Sequence, residues 1–489
     1  MDAKIDQLRE AMAKLGSAEA VTLARTLETQ RALGQTVLPV DLILAALRPQ
    51  LRKARPPRIP NLLRLACAGF EDFLTDGQDA ERLTGLVPRS AIGPWWQSLL
   101  RVAPQEIKNY EAQLAAAVQG PDKSAAIENL GHAVRRSARF WTEAILAMLQ
   151  DRKLTDPEIR KFMSDIGLRA DFAEIAHILA IEEPLGQALD AVTGVAARLN
   201  QARGRRILDF GPDIVTETKN QYLSFTEAHG LDVRYVALGL MNRLDRPWEV
   251  LRLGRALSWK PTDTMMYDTE LGIIGQRLIR DLAIVTSEIE LLAPNPRAGA
   301  EPADYARLLR VVQRYLESAE GMLGEFGFRR DSGWGEKILE TRTILARAFD
   351  AERLSLVART ALAVLPVKRG PPSRGGVSEA PDYDTAPAPE TIELALDAAH
   401  LLHLLVHKGD RHGLANPARA AIEAAGTEIN NRTGRHYDEL GKNPRHAPIA
   451  AQLNAVIRVC EVLFDDGRAK VMARRLHNLR QVRPKAKVG

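Results

Sequence analysis

Little in this chain points to covalent or redox chemistry. It has two cysteines, Cys67 and Cys460, far apart in sequence and each inside an apolar helical pattern. Two cysteines make neither a disulfide framework nor a cysteine-rich zinc site, so both are expected as small buried hydrophobes in a reducing, cytoplasmic setting. Aromatics are 5% of residues. The core must therefore rest on Leu, Ala, Val and Ile, a composition that suits helix bundles. No run of about 18 or more apolar residues occurs, which excludes a recognisable membrane span. The opening residues, Met1-Asp2-Ala3-Lys4-Ile5-Asp6, lack the cationic and then apolar pattern of a secretory leader. Alternating strand patterns with hairpin turns are also missing.

The specific catalytic signatures are missing as well. There is no phosphate-cradling G-x-x-x-x-G-K-[ST] loop and no strand followed by G-x-G-x-x-G. Gly333-Trp334-Gly335 and Gly375-Gly376 lack that context and read as turn or linker glycines. Ser332 lacks the first glycine of a nucleophile elbow. Cys67 lies in an apolar stretch that disfavours a thiolate. No catalytic, cofactor-binding or metal residue is assigned on these grounds.

What is present is helix. At 489 residues the chain exceeds one ordinary core. Hydrophobic and charged fractions of 45% and 26% are those of a folded chain. The expected class is all-α: a multi-helix bundle or irregular α-solenoid body with a tethered C-terminal helical module. Segments are drawn at 1–120, 121–205 and 206–365, then a Pro/Gly-rich linker at 366–389. A helical module follows at 390–482, with a basic tail at 483–489. Helices are expected near 3–15, from Ser17, from Pro39 and over 61–74, then at 104–118, 122–150 and 156–166. Pro184 is expected to kink or break a helical stretch at 170–200. Gly230 should separate 212–229 from 232–244, and Pro247 should open a short helix to Leu257. Later helices are expected at 335–349, 351–365, 390–408, 416–432, 445–465 and 467–481.

The clearest pattern spans 268–324. Leu271, Ile274, Leu278, Leu282, Val285, Ile289 and Leu292 are spaced 3, 4, 4, 3, 4 and 3. Tyr305, Leu308, Val312, Tyr315, Ala319 and Leu323 follow at 3, 4, 3, 4 and 4. Two seams joined by a short loop predict an antiparallel helical hairpin packed inside a bundle.

Two polar groupings call for metal chemistry to be weighed. His400, His403, His407 and His412 cluster, with His403 and His407 one turn apart. No carboxylate sits at a recognised third-ligand spacing, so a boundary helix face is expected instead. Glu174 and His177 form a single E-x-x-H unit, whereas carboxylate-bridged di-iron bundles need two. Trp95, Trp96, Phe140 and Trp141 are read as fillers between helices.

Charge is uneven. The formal net charge of +5 hides two acid-free islands. One runs from Leu42 to Phe70 with six Lys/Arg; the other runs from Arg468 to Gly489 with eight. Without them, 53 cations face 62 acids. Arg52, Lys53, Arg55, Arg58, Arg474, Arg475, Arg480, Lys485 and Lys487 are the candidate contacts to a polyanion or an acidic partner.

The leading expectation is a non-enzymatic, bacterial-type helical scaffold or adaptor that binds protein partners. The alternatives are a nucleic-acid-associated protein using islands at 48–64 and 468–487, and an all-α enzyme with dispersed active-site residues.

Overall fold

A computed structural model describes residues 61–75, 83–120, 122–151, 153–258, 268–295, 304–328, 332–373, 376–464 and 467–481, with seven isolated positions (16, 19, 22, 23, 43, 47 and 262). The helices expected near 3–15, from Ser17 and from Pro39 lie essentially outside these residues, as do Arg52, Lys53, Arg55, Arg58, Lys485 and Lys487. The class is all-α, with 17 α-helices and three short two-stranded ladders among the described residues. No helix among them is long and apolar enough to cross a membrane.

The chain forms two compact units. The first, residues 1–69 and 93–169, holds α1 (Leu62–Cys67), α2 (Ile92–Val102), α3 (Pro104–Gln119), α4 (Lys123–Gln150) and α5 (Pro157–Ser164). Proline at the first turn of α3 and α5 loses no helical hydrogen bond, because that N–H has no partner there. The Asp156 carboxylate caps α5 by accepting from the Glu158 and Ile159 amides. Trp95 is buried, and its indole N–H donates to Thr142 Oγ1 at 2.9 Å. Trp141 is buried too, and both fill the interior as expected. Phe140 does not, being 68% exposed.

The second unit comprises residues 70–92 and 170–489. It holds most of α6 (Ile166–Arg198), then α7 (Pro212–His229), α8 (Arg234–Arg243) and α9 (Leu251–Leu257). Pro184 neither ends nor divides α6. Buried Ile175, Leu179, Leu185, Leu189 and Val192 make one apolar stripe through it, and that packing outweighs the lost backbone bond. Gly230 separates α7 from α8 with φ of 59°, a conformation that suits glycine.

The predicted hairpin is present as α10 (Gly272–Leu292) and α11 (Tyr305–Glu325). Arg307 at the start of α11 reaches Glu288 near the end of α10 at 2.7 Å, so the two run antiparallel. The seam residues Ile274, Leu282, Ile289, Leu308, Val312 and Tyr315 are all buried. Helix α12 (Gly333–Ala348) packs on α10, and α13 (Ala351–Ala361) follows.

The segment expected to be a linker is structured. Residues Val367–Ser373 (β1) and Gly376–Pro381 (β2) pair as an antiparallel ladder. The ladder has only two strands, so its prolines sit at edges that need no partner. Its base is fastened. Lys368 bridges Asp382 and Asp384 at 3.0 and 2.8 Å, and buried Gln452 donates to the Asp382 and Thr385 carbonyls at 2.7 and 2.6 Å. A Pro/Gly-rich composition permits extended backbone but does not reveal a pairing partner, which is why it reads as a tether.

The C-terminal helices are α14 (Pro389–Lys408), α15 (Ala415–Lys442), α16 (Ala447–Leu463) and α17 (Arg468–Gln481). They pack within the second unit, with α14 against both α11 and α13, rather than standing apart on a tether. Helix α15 runs ten residues beyond the predicted end at 432 because Thr433, His436, Tyr437 and Leu440 are buried on that extension. Tertiary packing there overrides the cost of Gly434 and Gly441.

Candidate functional site

A cleft of about 1140 Å³ lies in the second unit. Its walls come from the facing helices α10 and α11, the turn Asp245–Trp248, Arg206 and Arg411. Pro247 opens a tight turn that sets the half-buried Trp248 against α11. That approach depends on Gly321, since a Cβ there would stand 2.2 Å from the indole. Leu278, Leu282, Val285 and Met322 supply an apolar floor, and Ile284 is 39% exposed at its edge.

Charge along the rim is almost balanced. Arg206, Arg246, Arg277, Arg314 and Arg411 face Asp245, Asp281, Glu317 and Glu320. Arg206 pairs with Asp245 at 3.2 Å. Arg277 Nε donates to both Asp281 oxygens at 3.0 and 2.9 Å. Lys408, the last residue of α14, reaches Glu317 at 3.9 Å. Behind the turn, Glu249 is fully buried and accepts the Phe210 amide at 3.0 Å between Arg246 and Arg252. Burial pushes its carboxyl above the ordinary range, against the pull of those two cations.

The four histidines do not converge. The His403 and His407 rings lie tilted at 43° with centroids 4.1 Å apart, and His400 is exposed. His412 is 5% exposed and packs edge-on against Tyr315 at 5.4 Å. Among the described residues no group of three His, Cys, Asp or Glu has an arrangement that could hold a metal ion. Burial, with Arg342 and Arg411 nearby, lowers the His412 pKa to about 4. The unfolded chain then takes up a proton near pH 6.5 that the folded chain refuses. Stability contributed by neutral His412 is full above that pH and lost as pH falls from about 6.5 to 4. The expected loss is about 3 kcal/mol by pH 4. Urea midpoints measured across this range should fall less steeply in His412→Phe than in the parent. Equal slopes would remove the assignment to His412.

The E-x-x-H unit gained partners that its sequence context did not reveal. His177 Nε2 lies 3.0 Å from Asp232, and the buried Tyr235 hydroxyl donates to Glu174. Burial and the Glu174 charge push the Tyr235 phenol far upward, so it stays a donor. Both links tie α6 to the α7–α8 corner, and neither pair lines the cleft. Ser332 is an N-cap, accepting the Gly335 amide at 3.0 Å. Cys460 is buried, and Cys67 is half-buried at the end of α1.

Of the basic candidates, Arg474, Arg475 and Arg480 are exposed on α17. Of the cleft lining, the sequence marks Leu278, Leu282 and Val285 as seam positions and Pro247 as a helix opener, but not as parts of a site. Further local signals are Trp248 beside that proline, the i,i+4 pair Arg277/Asp281, and a glycine inside the second seam. No protein family, curated protein or solved structure matches this chain.

Proposed function

We propose that this chain is a non-enzymatic scaffold whose cleft holds a segment of a protein partner. The observation that carries the reading is the cleft's lining: an apolar floor with Trp248, under a rim of five cations and four carboxylates. A polyphosphate would meet those carboxylates at close range, whereas a peptide or helix of mixed charge can pair with both signs. Tryptophan and arginine are also the residue types that dominate binding hot spots.

The test uses a photo-crosslinking residue at Ile284. The captured protein is identified by mass spectrometry, and its affinity is then measured with purified components. Arg314→Glu and Ile284→Glu alter exposed rim positions and should together weaken binding at least tenfold, about 1.4 kcal/mol. A captured partner that binds the double variant as tightly as the parent would overturn the assignment of the cleft. So would crosslinking to no protein at all.

A further inference from the structure

A second surface lies outside the cleft and does not depend on how the cleft is read. Helix α17 carries Arg468, Lys470, Arg474, Arg475 and Arg480 in fourteen residues with no acid. Its inner face is held firmly. Ala469, Met472 and Leu476 are buried, the Tyr437 hydroxyl donates to the Met472 carbonyl at 3.0 Å, and Cys460 Sγ lies 3.8 Å from Met472 Sδ. The cations therefore sit on a fixed rod rather than a floppy tail.

They fall into two rows. Lys470 and Arg474, four residues apart, point away from the buried face and are exposed. Arg468 and Arg475, two turns apart, form a flank. Arg468 lies over the Phe464 ring at 4.0 Å and Arg475 over the Tyr437 ring at 4.4 Å. A guanidinium held over a ring keeps its N–H edges in one plane and loses little further freedom on binding, as bidentate phosphate contact requires. Arg475 also reaches the Asp438 carboxylate at 4.0 Å, a distant partner that is 77% exposed.

We propose that α17 docks on the phosphodiester backbone of a nucleic acid, gripping phosphates without reading bases. The helix rises about 15 Å from residue 470 to 480. Duplex DNA presents about one negative charge per 1.7 Å of axis, so several phosphates face this length. An anionic membrane fits less well, because Val471, 65% exposed, is the one large apolar residue on the outer face.

The experiment measures anisotropy of a labelled 20-base-pair DNA duplex and a 20-nucleotide single-stranded RNA against the full chain, from 50 to 200 mM NaCl. Phosphatidylserine vesicles form a third arm. Binding to the nucleic acids should weaken with salt at a log–log slope of about −3 for three or four phosphate contacts. The variant Lys470→Glu/Arg474→Glu/Arg475→Glu should bind at least tenfold more weakly, with helical circular dichroism unchanged. The C-terminal cations Arg483, Lys485 and Lys487 stay in place, so that loss belongs to α17. The proposal is overturned by no nucleic-acid binding at 50 mM NaCl, by parental affinity in the triple variant, or by binding to vesicles alone.

Discussion

Replacing Gly275 with valine should cost the second unit about 3 kcal/mol or more, within or above the usual range for overpacking a core. Gly275 lies on α10 directly beneath Trp334 of α12. A Cβ there would stand 2.1 Å from indole Cζ2, closer than any real contact. Trp334 cannot swing aside, since it is 2% exposed and Phe328 packs on it edge-on at 6.1 Å. The helices must separate or the indole must leave its site, and either move opens the α10–α12 interface. The urea midpoint should drop sharply in Gly275→Val. Adding Trp334→Leu should recover part of that drop, because the leucine gives back the volume the valine takes. A double variant no better than the sum of the singles would show that the contact is not the cause.

Arg243→Met should be comparably damaging, by about 3–5 kcal/mol, the usual cost of breaking a buried ion pair from one side. The Arg243 side chain is 2% exposed. Its Nε donates to Asp72 at 2.9 Å, and one terminal nitrogen donates to Asp190 at 2.7 Å and to Thr193 at 3.1 Å. Methionine fills similar volume but leaves the Asp72 carboxylate with no cation in a mostly buried site. Asp72→Asn in the same chain should therefore lessen the loss, and equilibrium urea unfolding of the two single variants and the double reads that coupling directly. Strictly additive losses would mean that Asp72 and Arg243 stabilise the fold independently.

Helix positions were legible wherever a seam recurred. The α10–α11 hairpin follows from spacing alone, because each buried residue recurs three or four positions later. Gly230 and Pro247 were legible for a local reason, backbone conformation. The errors arose where a long-range partner decides the outcome. The stretch 366–389 looked like a tether because nothing in its composition announces Gln452. Glu174 and His177 looked isolated because Asp232 and Tyr235 are brought to them only by folding. The cleft was illegible for the same reason. Arg206, Trp248, Arg314 and Arg411 come from separate stretches, and none of them alone marks a site.

The division of the chain between its units has a consequence for the timing of folding. Residues 70–92 belong to the second unit, although the first unit's sequence surrounds them on both sides. Asp72 leaves the ribosome 171 residues ahead of the arginine that neutralises it. At about 5–20 residues per second, that is a wait of about 10–30 seconds. Throughout it, Phe70, Phe73 and Leu74, all buried in the finished protein, have no completed core to enter. A nascent chain of this protein thus carries these apolar side chains without their final partners for about a third of its synthesis.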